Sequence, residues 1–186
     1  MLKKWYDRNV YNTSFDRGNT PLTKETKLEY EFAKYREEKI TFIKFINNKL
    51  DGLVYDFKIG NKKIQEKVKS LVGRQTYVSV SLEKYMSIEN KKKLKTPYEE
   101  GDNDFYWFNG RNKKMFYVIP ECILIMRGYI STETFRGKTG LYLTKNEKWI
   151  NNYAFEYDTI NDCHNKNRLL TLINDYDKYY DKYIKK

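Results

Sequence analysis

The sequence predicts an α+β or mixed α/β fold, a single domain with helices flanking a central mixed β-sheet. Three observations point there. An amphipathic helical stripe lies near the start, short β-branched and aromatic segments separated by turn signals fill the middle, and an apolar spacing of partly helical character ends the chain. With 186 residues, 40% of them apolar and 17% aromatic, the chain has material for one buried core although 33% of it is charged.

Residues 1–19 are polar with scattered aromatics and read as an irregular arm, leaving 20–186 as the folded domain. Thr20-Pro21 is an N-cap followed by proline at the first helical position. Leu28, Phe32 and Tyr35 then mark one helical stripe, and the helix is expected to run to about Lys39. Ile40 to Ile46 is a β-branched and aromatic run and predicts a buried strand, with a turn at Asn47-Asn48-Lys49. Leu50–Phe57 and Lys63–Lys69 form the arms of a predicted hairpin around Gly60-Asn61. Gln75–Leu82 is a weaker strand. Residues 83–103, rich in Lys, Glu and Asn, read as a solvated loop or frayed helix. Phe105–Phe108 and Lys114–Ile119 flank Asn109-Gly110, the strongest hairpin signal in the chain. Pro120 opens a short apolar helical turn to Met126, and Leu169, Leu170, Leu172, Ile173, Tyr176 and Tyr180 predict a C-terminal helix.

Lys and Arg number 36 against 25 acidic residues, a formal charge of +11. Such a surplus draws a polyanion, so nucleic acid is the expected partner. A Lys-rich codon bias, or another acidic partner, accounts for the same charge. Cys122 and Cys163 have no metal-ligand or disulfide spacing and suit a reducing compartment. No apolar leader or membrane-length run occurs, so an intracellular, non-secreted protein without a membrane partner is expected.

Elimination narrows the chemistry. The one histidine, His164, cannot furnish a two-histidine nuclease or an HEXXH zinc site and reads as a surface residue. No glycine-rich phosphate loop and no GxSxG elbow is present. Carboxylate, amide and lysine groups remain, and these suit a hard divalent ion such as Mg²⁺ or Mn²⁺. They gather on the predicted hairpin. Asp51 opens the first arm, and Gln65-Glu66-Lys67 lies on the second, where alternation puts Gln65 and Lys67 on one face and Glu66 on the other. A carboxylate and a second oxygen donor can hold the metal, while a neighbouring lysine orients or deprotonates water and offsets phosphate charge.

In this layout the chain resembles the PD-(D/E)xK nuclease superfamily, in its viral or mobile-element members such as homing endonucleases. Asp51, then Ile64-Gln65-Glu66-Lys67, follows that family's order of an acid opening one strand and (D/E)xK on the next. The resemblance covers roughly residues 23–125 and implies a restriction-endonuclease-like fold and Mg²⁺-dependent hydrolysis of double-stranded DNA, often by a homodimer. Glu29 and Glu31 stand on the upstream helix, and Glu31, flanking the apolar stripe, is the candidate for the additional metal-side carboxylate. A strict ExK would need lysine at 68, where the chain has Val68. Gln65 and Glu66 therefore stay open as alternative or joint ligands.

Lys69, Arg74, Lys91, Lys92 and Lys93 are candidate phosphate contacts, the last three equally readable as a solvated face. Asp102 and Asp104 read as turn residues, and Tyr106-Trp107-Phe108 as core. The alternative to a nuclease is a non-catalytic basic nucleic-acid-binding protein on a degenerate nuclease fold; a viral interaction protein charged by codon bias alone is a third reading.

Overall fold

A computed structural model describes residues 24–47, 55–68, 78–89, 92–110, 113–143 and 147–184. In chain order the elements are α1 (Lys24–Lys39), β1 (Phe45–Asn47), β2 (Phe57–Ile59), β3 (Lys62–Val68), β4 (Val78–Ser81), β5 (Glu83–Glu89), β6 (Lys92–Pro97), β7 (Phe105–Asn109) and β8 (Met115–Pro120). They continue with α2 (Glu121–Met126), β9 (Gly140–Leu143), α3 (Lys148–Asn151), β10 (Ala154–Glu156), α4 (Cys163–Asn174) and α5 (Tyr176–Tyr183). The fold is mixed α+β, with a six-stranded central sheet in the order β1-β2-β3-β7-β8-β10. Its one parallel pair is β3 with β7; the other neighbours run antiparallel.

Strand alternation divides the core between the two faces of this sheet. Ile64, Phe105, Trp107, Phe116, Val118 and Phe155 pack with Ile40 and Ile43 beyond α1, with Leu169, Leu172 and Ile173 of α4, and with Tyr176 of α5. Tyr106, Phe108, Tyr117 and Ile119 face the other way, onto Leu124 of α2, Ile150 of α3 and the small sheet of β4 and β9. β7 is covered on both sides and buried throughout, which explains its unbroken aromatic run. Trp107 lies flat against Phe116 with ring centroids 4.7 Å apart.

The Gly60-Asn61 turn forms as expected. Ile59 pairs with Lys62, leaving two residues between the strands, and Gly60 takes φ 60° at the first of them, the position at which a type II′ turn calls for glycine.

Several expectations are corrected. Ile40–Ile46 is not one strand: the Ile40 amide still donates to the Arg36 carbonyl, residues 41–43 turn, and only Phe45–Asn47 joins the sheet. Ile40 and Ile43 reach the core from that turn, so an apolar run mimicked a strand. Asn47 belongs to β1 rather than to a turn. Residues 83–103 are largely strand: β5 and β6 pair antiparallel with an irregularity between Tyr85 and Ser87. Asn109-Gly110 is not the turn of its hairpin, since Asn109 pairs with Phe116 and the Gly110 amide donates to the Met115 carbonyl. Glycine is needed at 110 for that approach, because a Cβ there would sit 2.6 Å from the Met115 oxygen. Asp102 Oδ2 accepts from the Glu99 amide at 2.8 Å and closes a turn. Thr20-Pro21, the arm 1–19, most of the Leu50–Phe57 strand, and residues 75–77 lie outside the described residues. Among those described, no helix is long and apolar enough to cross a membrane.

Candidate active site

The two-residue turn fixes what faces what. Pairing runs Ile59–Lys62, Lys58–Lys63 and Phe57–Ile64 and ends there, with Asp56 the next residue beyond it. The Asp56 amide donates to the Ile64 carbonyl at 2.9 Å, one residue off that register, so the chain bends at Asp56 and turns its carboxylate onto β3. Asp56 Oδ2 then accepts from the Gln65 Nε2 amide and, at 2.7 Å, from the Glu66 backbone N–H. With Nε2 so engaged, the amide oxygen of Gln65 is its remaining donor to any ligand. Both bonds fall on Oδ2; among the described residues, none falls on Oδ1.

Lys67 stands two positions along the same face. Its strongest opposing charge is Asp56 and its next is Glu29, on the second turn of α1. The ammonium sits 5.1 Å from the centroid of the Tyr98 ring. Burial pulls the Lys67 pKa below its ordinary value, with the Lys95 charge lowering it further and Asp56 and Glu29 opposing. Burial pushes the Asp56 carboxyl up to about 6, with Lys67 restraining the rise and Glu66 adding to it. Tyr98, buried and subject to the charges of Asp56, Asp102 and Glu29, is also raised, so its phenol stays protonated.

Glu66 points the other way, as alternation requires. Its Oε2 pairs with the fully buried Arg36 of α1, and its Oε1 accepts from Asn109 Nδ2 at 2.7 Å. Tyr157 completes the chain by donating to Asn109 Oδ1 at 2.7 Å. The Arg36 guanidinium lies 3.8 Å from the Phe57 ring centroid. Both carboxylate oxygens are thus occupied by a tie between α1, β3 and β7, on the face opposite Gln65 and Lys67. The buried carboxylate is compensated by charge and hydrogen bonds, which is what the core side of the strand demands.

Among the proposed site residues, the structure brings Gln65 and Lys67 together with Asp56, and sets Glu66 apart. Glu31 is exposed and lies beside Lys34, Tyr35, Glu38 and Lys113, away from this cluster. Asp51, Lys69, Arg74 and Lys91 are outside the described residues, while Lys92 and Lys93 lie on β6, opposite Glu89 and Ile88. His164 is exposed.

Sequence reasoning missed Asp56 and passed over Glu29. Counting outward from the turn at Gly60-Asn61 reaches Asp56 as the residue just past the last pair, Phe57 with Ile64. Glu29 shares the i, i+3, i+4, i+7 stripe of Phe32, Ala33 and Arg36, all buried, from which Glu31 is rotated away.

No family model and no curated protein matches the chain. Two solved structures resemble it in part. MepB superposes with a TM-score of 0.46 and 16% identity over 72% of this chain and 97% of its own. The bacterial homing endonuclease I-Ssp6803I gives 0.46 and 19% over 67% of this chain and 78% of its own. Likenesses this distant assign no role to any residue here.

Proposed function

We propose that the chain is a metal-dependent endonuclease that hydrolyses DNA phosphodiester bonds at Asp56, Gln65, Lys67 and Glu29. The observation that carries this reading is the convergence on one strand face of a perturbed carboxyl, an amide bonded to it and a half-buried lysine whose nearest counter-charges are two carboxylates.

The donors suit Mg²⁺ or Mn²⁺ in kind. Asp56 and the Gln65 amide oxygen would hold the ion, with Glu29 as the further carboxylate; all are hard oxygen donors. Among the described residues, no trio of His, Cys, Asp and Glu gathers to hold a metal unaided. Mg²⁺ is usually held by one or two carboxylates together with waters and the substrate's phosphate. When bound, it supplies positive charge against the phosphate oxygens and acidifies water.

The chain's own groups supply the rest. Lys67, a cation on a wall of low polarity, donates to the phosphate as negative charge builds on it and holds the attacking water in line. Tyr98 limits where the ammonium can go. The formal charge of +11 draws DNA to the site, with Lys95 adjoining Lys67 and β6 carrying Lys92 and Lys93.

The experiment is cleavage of supercoiled and linear DNA with and without Mg²⁺, in the native chain and in Asp56→Asn, Gln65→Ala and Lys67→Ala. Metal-dependent nicking that each substitution abolishes supports the reading. Equal cleavage by Lys67→Ala and Asp56→Asn overturns it, and salt-sensitive DNA binding without cleavage replaces it with a binding role.

A further inference from the structure

On the other side of the sheet, β10 and the C-terminal helices enclose a second cavity, of about 460 Å³, with Asn152, Tyr153, Phe155, Arg168, Tyr179, Lys182 and Tyr183 on its walls. Two strands, β7 and β8, separate β10 from β3, about 14 Å at ordinary strand spacing. The volume falls within the roughly 300–1,000 Å³ of small-molecule sites. Among the described residues, no carboxylate lines it.

Among the described residues, its two cations lack counter-charges. Arg168 donates through Nη2 to the Ala154 carbonyl and lies 4.1 Å from the Phe155 ring centroid, yet its Nε is buried without a hydrogen-bond partner. Among the described residues, neither Arg168 nor Lys182 forms an ion pair. Arg36, Lys62 and Lys84, by contrast, each face a carboxylate. A guanidinium partly withdrawn from water with no anion beside it is costly, and a bound anion offsets that cost. Burial acts in the same sense, lowering the Arg168 pKa and raising that of Tyr153, whose phenol remains a donor.

The walls are aromatic as well as cationic. The Tyr179 and Tyr183 rings lie within 23° of parallel at 6.4 Å, and the Lys182 ammonium sits 5.1 Å from the Tyr183 centroid. A planar ring joined to an anion matches both features, because a base stacks on aromatic faces while a phosphate takes the charge.

We propose that this cavity binds a nucleoside monophosphate unit, with Arg168 and Lys182 on the phosphate and Tyr153, Tyr179 and Tyr183 about the base. The unit comes either from a free nucleotide or from the phosphorylated end of a strand. The proposal stands on residues other than those of the cleavage site, so either can fail alone.

Calorimetric titration of the full chain tests it with four probes: deoxyadenosine monophosphate, deoxyadenosine, inorganic phosphate and a 5′-phosphorylated tetranucleotide. The monophosphate is expected to bind at least about tenfold tighter than the nucleoside or phosphate alone. Lys182→Ala, at an exposed position, and Arg168→Gln should each weaken it about tenfold without loss of fold by circular dichroism. Tighter binding of the tetranucleotide identifies a strand end, and equal binding identifies the free nucleotide. Phosphate binding as well as the monophosphate, undiminished binding by Lys182→Ala, or binding of neither phosphorylated probe overturns the proposal.

Discussion

Asp56→Asn separates what this position does for chemistry from what it does for folding. The native carboxyl titrates at about 6 against an ordinary 3.8, chiefly because it is desolvated. The folded chain therefore holds a proton that the unfolded chain has released between about pH 4 and 6. Stability is fully present below that window and falls as pH rises through it. At about 1.4 kcal/mol per unit, the ionised carboxylate costs up to about 3 kcal/mol at pH 8. Asparagine has no proton to lose and escapes the cost. Part of the gain is returned, because the Gln65 amide must turn to keep a bond, leaving about 1–2 kcal/mol. For a chain of this length that is a rise of roughly 2–8 °C in Tm at pH 8, vanishing at or below pH 4, where native Asp56 is already neutral. Thermal melts of both chains at pH 4, 6 and 8 measure it. A difference that does not change with pH refutes the assignment of a desolvated, titrating carboxyl. Mg²⁺ at about a hundred times its Kd should add roughly 2.7 kcal/mol to the native chain and nothing to Asp56→Asn.

Four further outcomes are expected. Glu66→Ala leaves Arg36 buried without its partner and should cost about 3–5 kcal/mol in urea melts, most of it recovered when Arg36→Met is combined with Glu66→Leu; unchanged stability in Glu66→Ala discounts the buried tie. Lys67→Ala should lower Mg²⁺-dependent DNA cleavage by about 10²–10⁴-fold while keeping the native melting temperature within a few degrees, read by single-turnover assay. Glu29→Ala should impair cleavage and Glu31→Ala should not, because only Glu29 acts on Lys67; the reverse order counts against the site. DNA affinity should fall with salt at a log–log slope of about −0.9 per phosphate contacted, and a flat response removes nucleic acid as the partner.

Much of the fold was legible because local rules governed it. The Gly60-Asn61 turn, the aromatic strands β7 and β8 and the α1 stripe follow from turn chemistry and periodicity alone. The β5–β6 pair was hidden by composition, since its Lys and Glu residues read as solvent-loving although the two strands are neighbours in sequence and Glu89 pairs with Lys92. Ile40–Ile46 failed for the opposite reason: apolar residues signal burial but do not say whether a strand or a turn delivers them. At the site, alternation separated Glu66 from Gln65 and Lys67 on paper as it does in three dimensions. The carboxylate beside Gln65 was sought at Asp51 through a motif's spacing, when the residue just past the hairpin's last pair is Asp56.

That register gives the β2–β3 hairpin an arithmetic of parity. One strand serves two masters: odd positions 65 and 67 share the face beside Asp56, while even position 66 is locked to Arg36 within the core. Lengthening the turn by one residue and pulling β3 along it would present a wedded carboxylate on that face and drive a lysine into the aromatic interior. Changes of length in pairs keep each side chain on its own side. Drift in this segment is thus confined to even steps, or to loops that absorb an odd one before the strand begins.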